Sequence, residues 1–136
     1  MLVQDVMSRS VITLTPDQTL RDTIELLRSR RIRHLPVVDG PALVGIVTDR
    51  DVKRATPSLL SGIDRDSYEQ VLETTKVTQF MTREPLTVTP VTDLKAAVAI
   101  LVHRKVGALP VVDEGRLVGI VTELDMLRVM LGMLDE

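Results

Sequence analysis

Shifted by 74 residues, the chain lies on itself without a gap. Val6–Ala55 matches Phe80–Val129, and 21 of the 50 paired positions are identical. Self-similarity of this kind constrains a fold more than any local propensity. Two copies are fewer than the three or so that a solenoid needs. They suit a closed pair of pseudo-symmetric units, each covering the apolar face of the other. A site in the seam of such a pair would be built twice.

Size supports the same reading. A chain of 136 residues fits one compact body, and a body of that size buries roughly 68% of its unfolded surface. One 50-residue copy alone would be marginal. The repeat divides the chain into a first unit (residues 1–56), a connector with a short helix (57–77) and a second unit (78–136).

Each copy reads β-α-β-β-α, a mixed α/β (α+β) pattern. Val11–Thr15 alternates apolar and polar residues, as a half-buried strand does, and Pro16 ends it. Asp17 or Thr19 can cap the helix that follows, with Thr92 or Asp93 in that part in the second copy. Leu20, Ile24 and Leu27, and likewise Leu94, Val98 and Leu101, recur at helical spacing. Leu35–Asp39 and Ala42–Thr48 read as buried strands around a turn at Asp39–Gly40–Pro41. The second copy turns at Asp113–Glu114–Gly115. Short helices are expected over Asp49–Ala55 and Glu123–Met130. In the connector, Asp66 can cap a helix over Ser67–Thr74. Leu59, Leu60, Ile63, Val71 and Leu72 make it too apolar for a free linker. The tail LGMLDE extends the last helix and is expected to fray at its end.

Composition removes several functions. Only Tyr68 and Phe80 are aromatic, so stacking platforms for single-stranded nucleic acid are missing. A net charge of −2 gives no global field for DNA or RNA. Zero cysteines exclude disulfides, thiolate metal sites and cysteine nucleophiles, and fit a cytoplasmic protein. His34 and His103 do not correspond in the repeat, and neither has a carboxylate cluster, so no metal site is expected. Ser8, Ser10 and Ser29 have no evident base, and neither a phosphate-binding glycine loop nor a nucleophile elbow occurs. The six methionines read as packing residues. No signal peptide or membrane span is expected.

One motif could carry chemistry. G-I-V-T-x-x-D occurs at Gly45–Asp51 and again at Gly119–Asp125. A buried strand ends in Thr, and Asp follows in the first helical turn. Two readings stay open. In the first the pair is a capping box, Thr48 capping the helix while Asp51 reaches back to the Thr N–H. In the second the carboxylate clamps the vicinal hydroxyls of a ribose, at the strand-to-helix end where α/β proteins bind ligands. Close by runs Arg28, Arg30, Arg31, Arg33, His34. The first three suit a solvated helix C-terminus. Arg33 and His34 enter the next strand, where the second copy has Gly107 and Ala108. Two homologous sites of unequal affinity for anions follow from that difference.

Taken together, VMSRSVITLTP, RRIRHLPVVD and LVGIVTDRD, with FMTREPLTVTP, HRKVGALPVVD and LVGIVTELD, resemble the cystathionine β-synthase (CBS) domain pair. The resemblance covers nearly the whole chain, and the connector is similar to that of acetoin-utilisation-type CBS proteins. It implies a non-catalytic regulatory module with no obligatory cofactor. The ligand it implies is AMP, ADP, ATP or S-adenosylmethionine, held in clefts between the repeats. One cleft would take Thr48 and Asp51 with Leu86, Val106 and Gly107. The other would take Thr122 and Asp125 with Ile12, Ile32, Arg33 and His34. The resemblance also implies a flat homodimer acting on a separate regulated protein. The alternative is an interaction or dimerisation module with unoccupied clefts.

Overall fold

A computed structural model describes residues 1–135. Glu136, the end of the expected tail, lies outside the described residues. The chain is a mixed α/β protein. In order come α1 (Leu20–Arg30), β1 (His34–Asp39), β2 (Ala42–Thr48), α2 (Asp49–Ala55), α3 (Arg65–Thr74), β3 (Thr82–Arg83), α4 (Leu94–Arg104), β4 (Ala108–Asp113), β5 (Arg116–Thr122) and α5 (Glu123–Leu134). No described helix is long and apolar enough to cross a membrane.

Tertiary contacts divide the chain differently from the sequence repeat. One compact unit holds the body of the second copy, residues 85–136, together with residues 1–11 and 41–43. The other holds residues 12–40 and 44–84. Each copy is thus completed by the segment that precedes the other copy in sequence.

The copy-two unit is built on the β4–β5 hairpin, paired from Ala108↔Thr122 to Asp113↔Arg116 with a bulge at Val111/Val112. Ser8 pairs with Ile120, and Ala42 with Arg116. Val3 N–H donates to the Thr92 carbonyl (2.9 Å), and Leu94 N–H, at the start of α4, donates to the Met1 carbonyl (2.9 Å). Val3, Val88, Ala97, Leu101, Leu109, Val111 and Val121 form its core.

The copy-one unit repeats this arrangement with its own residues. β1 and β2 are hydrogen-bonded neighbours, and β3 adds to β2 through Gly45↔Arg83 and Ile46↔Thr82. Val77 N–H donates to the Gln18 carbonyl (2.8 Å), and Leu20 N–H, at the start of α1, donates to the Thr75 carbonyl (2.9 Å). Leu14, Leu35, Val37, Val47 and Val77 form the core. Both cores are aliphatic.

Val11–Thr15 does not form the expected strand. It keeps one parallel bridge, Leu14↔Val37, as Val88↔Val111 does in the second copy. Leu14 N–H donates to the Pro36 carbonyl and Val38 N–H to the Leu14 carbonyl, each at 2.9 Å. The next rung on one side needs an N–H from Pro16, and on the other an N–H from Pro36. Proline has none, so the ladder stops after one residue. Pro90 and Pro110 stop the second copy in the same way.

Of the two candidate caps of α1, Thr19 takes the role, accepting from Asp22 N–H at 3.2 Å. Asp93 holds the N-cap position of α4 without a side-chain capping bond. α3 begins two residues before its expected start. Its cap is Asp64, not Asp66, and Asp64 Oδ1 accepts from Ser67 N–H at 2.7 Å. In the connector Leu72 is buried, whereas Leu59 and Leu60 are 70% and 98% exposed. α3 is tied to α1 by Arg21, which pairs with Glu69 and lies 3.3 Å from Glu73. The hydrogen bond to Glu69 holds the Arg21 guanidinium above its ordinary pKa.

α5 runs four residues past its expected end at Met130. Its Leu124, Leu127, Leu131 and Leu134 are 53–74% exposed and follow a 3-4-3 spacing.

Candidate functional site: two Thr-x-x-Asp helix starts

β2 runs into α2 at Thr48, and β5 into α5 at Thr122. Both threonines are extended (φ −111° and −122°), as an N-cap residue is. Asp51 N–H donates to Thr48 Oγ1 (3.2 Å), and Asp51 Oδ2 accepts from Thr48 N–H (2.9 Å) and Thr48 Oγ1 (3.2 Å). In the second copy the same three distances are 3.2, 2.8 and 3.1 Å. The capping-box reading of the motif therefore holds in both copies.

That role uses one carboxylate oxygen. Among the described residues, every hydrogen bond that Asp51 accepts at its side chain falls on Oδ2, including a long one from Thr82 Oγ1 at 3.5 Å. Oδ1 of Asp51 takes none of them. Asp125 Oδ1 lies 3.7 Å from Arg128 Nη1, a loose pair with an exposed arginine. A carboxylate fixed through one oxygen, with the other directed elsewhere, can still accept from a ligand hydroxyl.

Strand entry is tied to helix start within each unit. The Arg33 carbonyl accepts from Asp49 N–H (3.1 Å), and the Gly107 carbonyl accepts from Glu123 N–H (3.0 Å). Thus Arg33 comes beside the Thr48/Asp51 motif of its own unit, and Gly107 beside Thr122/Asp125. The Arg33 side chain is exposed and His34 is half-buried at the first position of β1. Ile12 and Ile32 are half-buried and pack on the copy-one core, while Leu86 and Val106 do the same on the copy-two core. Each leaves part of a branched apolar side chain uncovered.

Two contributors escaped sequence reasoning. Thr82 reaches Asp51 from β3, a strand with too few residues to show a period. Met7 and Met81 are the other. They press on the motif glycines, Met81 Sδ lying 2.7 Å from where a Cβ on Gly45 would stand. Their signal was present: both precede the Ser8/Thr82 pair in the 74-residue register. No group of three His, Cys, Asp or Glu among the described residues could hold a metal ion.

Known proteins share this arrangement. The family model for the CBS domain matches residues 3–58 and 77–132. The chain belongs to the CBS domain family. A CBS domain-containing protein of Dictyostelium discoideum is 35% identical over 136 residues, covering 98% of this chain and 94% of its own. Among solved structures, the AcuB protein of Vibrio cholerae, assigned to acetoin utilization, superposes with a TM-score of 0.84. It shows 32% identity and covers 99% and 93% of the two chains. CBSX2, a CBS-pair protein of Arabidopsis thaliana, has been solved in complex with AMP (TM-score 0.81, 32% identity, 97% of each chain). The CBS pair of protein MJ0100 has been solved with 5′-methylthioadenosine and S-adenosyl-L-methionine (TM-score 0.80, 28% identity, 98% of each chain).

Proposed function

We propose that this CBS pair is a non-catalytic regulatory module that senses adenosine-containing ligands: AMP, ADP, ATP or S-adenosylmethionine. The observation that carries the reading is the duplicated carboxylate, held by its own threonine through Oδ2 with Oδ1 of Asp51 left over. The AMP, 5′-methylthioadenosine and S-adenosylmethionine complexes of similar CBS pairs support the ligand class. In this reading Asp51 and Asp125 clamp ribose hydroxyls beside Thr48 and Thr122. Leu86, Val106 and Gly107 serve the adenine of one ligand; Ile12 and Ile32 serve that of the other. Arg33 and His34 draw its phosphates, so the ligand that meets them is the more anionic. The ligand acts by binding one conformation better than another, and the output lies in a separate regulated protein. With zero cysteines, a cytoplasmic location belongs to the same reading.

Calorimetry tests the clamp. Losing a clamp worth about 2–3 kcal/mol weakens binding roughly 30- to 150-fold. Asp51→Asn and Asp125→Asn are the informative variants, because the Asn side-chain oxygen can still accept from the Thr48 or Thr122 N–H while its NH2 group cannot accept from a ribose hydroxyl. An Asn variant that melts like the wild type yet binds AMP or S-adenosylmethionine far more weakly supports the clamp. Unchanged affinity for every ligand that binds the wild type would sink it.

A homodimer completes the proposal, supported by α5. Leu124, Leu127, Leu131 and Leu134 stand at the spacing of a two-helix seam and are exposed. Leu127→Glu with Leu131→Glu is expected to give a monomer in sedimentation velocity with unaltered circular dichroism. A dimer that persists in that variant would remove α5 from the interface. The alternative of an interaction module with unoccupied clefts is favoured by the completeness of both capping boxes. A thermal-shift screen with no response to any adenosine ligand would select it.

A further inference from the structure

A cavity of about 610 Å³ opens among α1, α2 and α3, wholly within the copy-one unit. That volume falls in the range of small-molecule sites. Ile24 and Val52 supply apolar surface from α1 and α2, and Leu72 and Tyr68 from α3. Arg28 and Lys53 also line it, and among the described residues neither has an ion-pair partner. Arg21, a third lining cation, is already paired with Glu69. The lining carboxylate is Glu25, so two free cations face one acid.

The repeat supplies an internal control. The apolar residues Ile24 and Val52 have apolar counterparts 74 positions later, Val98 and Met126. Arg21 keeps a cation there, Lys95, but three other polar ones do not keep their polarity: Arg28 answers to Val102, Lys53 to Leu127 and Thr56 to Met130. The same helix positions therefore accept hydrocarbon. At the Arg28 and Lys53 positions cations stand only in the copy that α3 covers, and α3 has no counterpart in the repeat. Packing does not require Arg28 or Lys53.

We propose that this α1–α2–α3 cavity is a binding site, one per chain, for a small organic anion with an apolar body. Apolar surface takes the body, and Arg28 and Lys53 take the anionic group through charge-assisted hydrogen bonds. The site shares no residue with the two Thr-x-x-Asp motifs. It does not rest on the adenosine reading and is tested separately from it.

The probe is naphthalene-1-sulfonate, titrated into the full chain and followed by amide NMR shifts. Expected are saturable shifts in residues 21–28, 52–58 and 68–72 that persist when AMP is present in excess. Arg28→Ala with Lys53→Ala raises Kd about 10-fold or more. Both side chains are exposed, so this variant folds. Thr56→Met, which fills the cavity with the residue of the second copy, weakens binding without changing charge. Inorganic phosphate, lacking the body, and naphthalene-1-methanol, lacking the charge, each bind at least about 10-fold more weakly. The proposal is overturned by the absence of saturable shifts in those segments, by an unchanged Kd in the double variant, or by equal binding of the alcohol.

Discussion

Gly45 and Gly119 show what a single residue does in this molecule. A Cβ on Gly45 would stand 2.7 Å from Met81 Sδ and 2.9 Å from the Thr82 carbonyl oxygen. A Cβ on Gly119 would meet Met7 Sδ and the Ser8 carbonyl at the same distances. The methionine can move; the backbone carbonyl of a paired strand cannot. Gly45→Ala and Gly119→Ala are each expected to destabilise by about 1–3 kcal/mol in urea unfolding, and Met81→Ala should restore only part of the Gly45→Ala loss. Gly132, inside α5, has no atom of the described residues beyond its own helix backbone within 4 Å of its added Cβ. Gly132→Ala is therefore expected to stabilise by up to about 1 kcal/mol. An opposite order in the three midpoints would refute the close-approach account of the motif glycine.

At the scale of the element, α3 depends on Asp64. The carboxylate accepts from Ser67 N–H, and that bond holds its pKa below the ordinary value of 3.8. A carboxyl whose folded pKa is lowered stabilises fully above its unfolded value and loses that contribution as pH falls through the folded one. α3 is thus capped at neutral pH and loosens below about pH 4. Asp64→Asn keeps an acceptor at the cap and cannot titrate. In an NMR pH series the Cα shifts of Arg65–Tyr68 should drift toward coil in the wild type and stay flat in Asp64→Asn. The same acid drift in both proteins would assign the transition to another group. Elements like this were partly legible in the sequence. The helix was visible from a capping aspartate ahead of it, but choosing Asp64 over Asp66 required knowing where the turn before it ended.

At the scale of the whole molecule, the exchange of leading segments matters most. Val3 and Val77 are 74 residues apart and both wholly buried, each in the core of the other copy. Val3→Ala and Val77→Ala are expected to cost similar amounts, about 1.5–3 kcal/mol each. Their effects should appear in different places. Val3→Ala should shift amides of α4, β4 and β5, and Val77→Ala those of α1, β1 and β2. A Val3→Ala effect confined to residues 12–84 would contradict the exchange.

The sequence by itself determined the duplication, the strand-turn-helix order of each copy, and the two Thr-x-x-Asp caps. Those caps link residues three apart, so spacing alone expresses them. It also contained the prolines that cut Val11–Thr15 down to one bridge, although their effect needed the partner strand β1 to be read. Only the tertiary structure decided which leading segment completes which core. Met1–Asp5 and Thr75–Gln79 share one identical residue, Val3 with Val77, and are too short to carry a period. What places them is backbone hydrogen bonding to distant residues such as Gln18 and Thr92. The α1–α2–α3 cavity was decided at that scale as well, because the repeat predicts features in pairs and α3 occurs once.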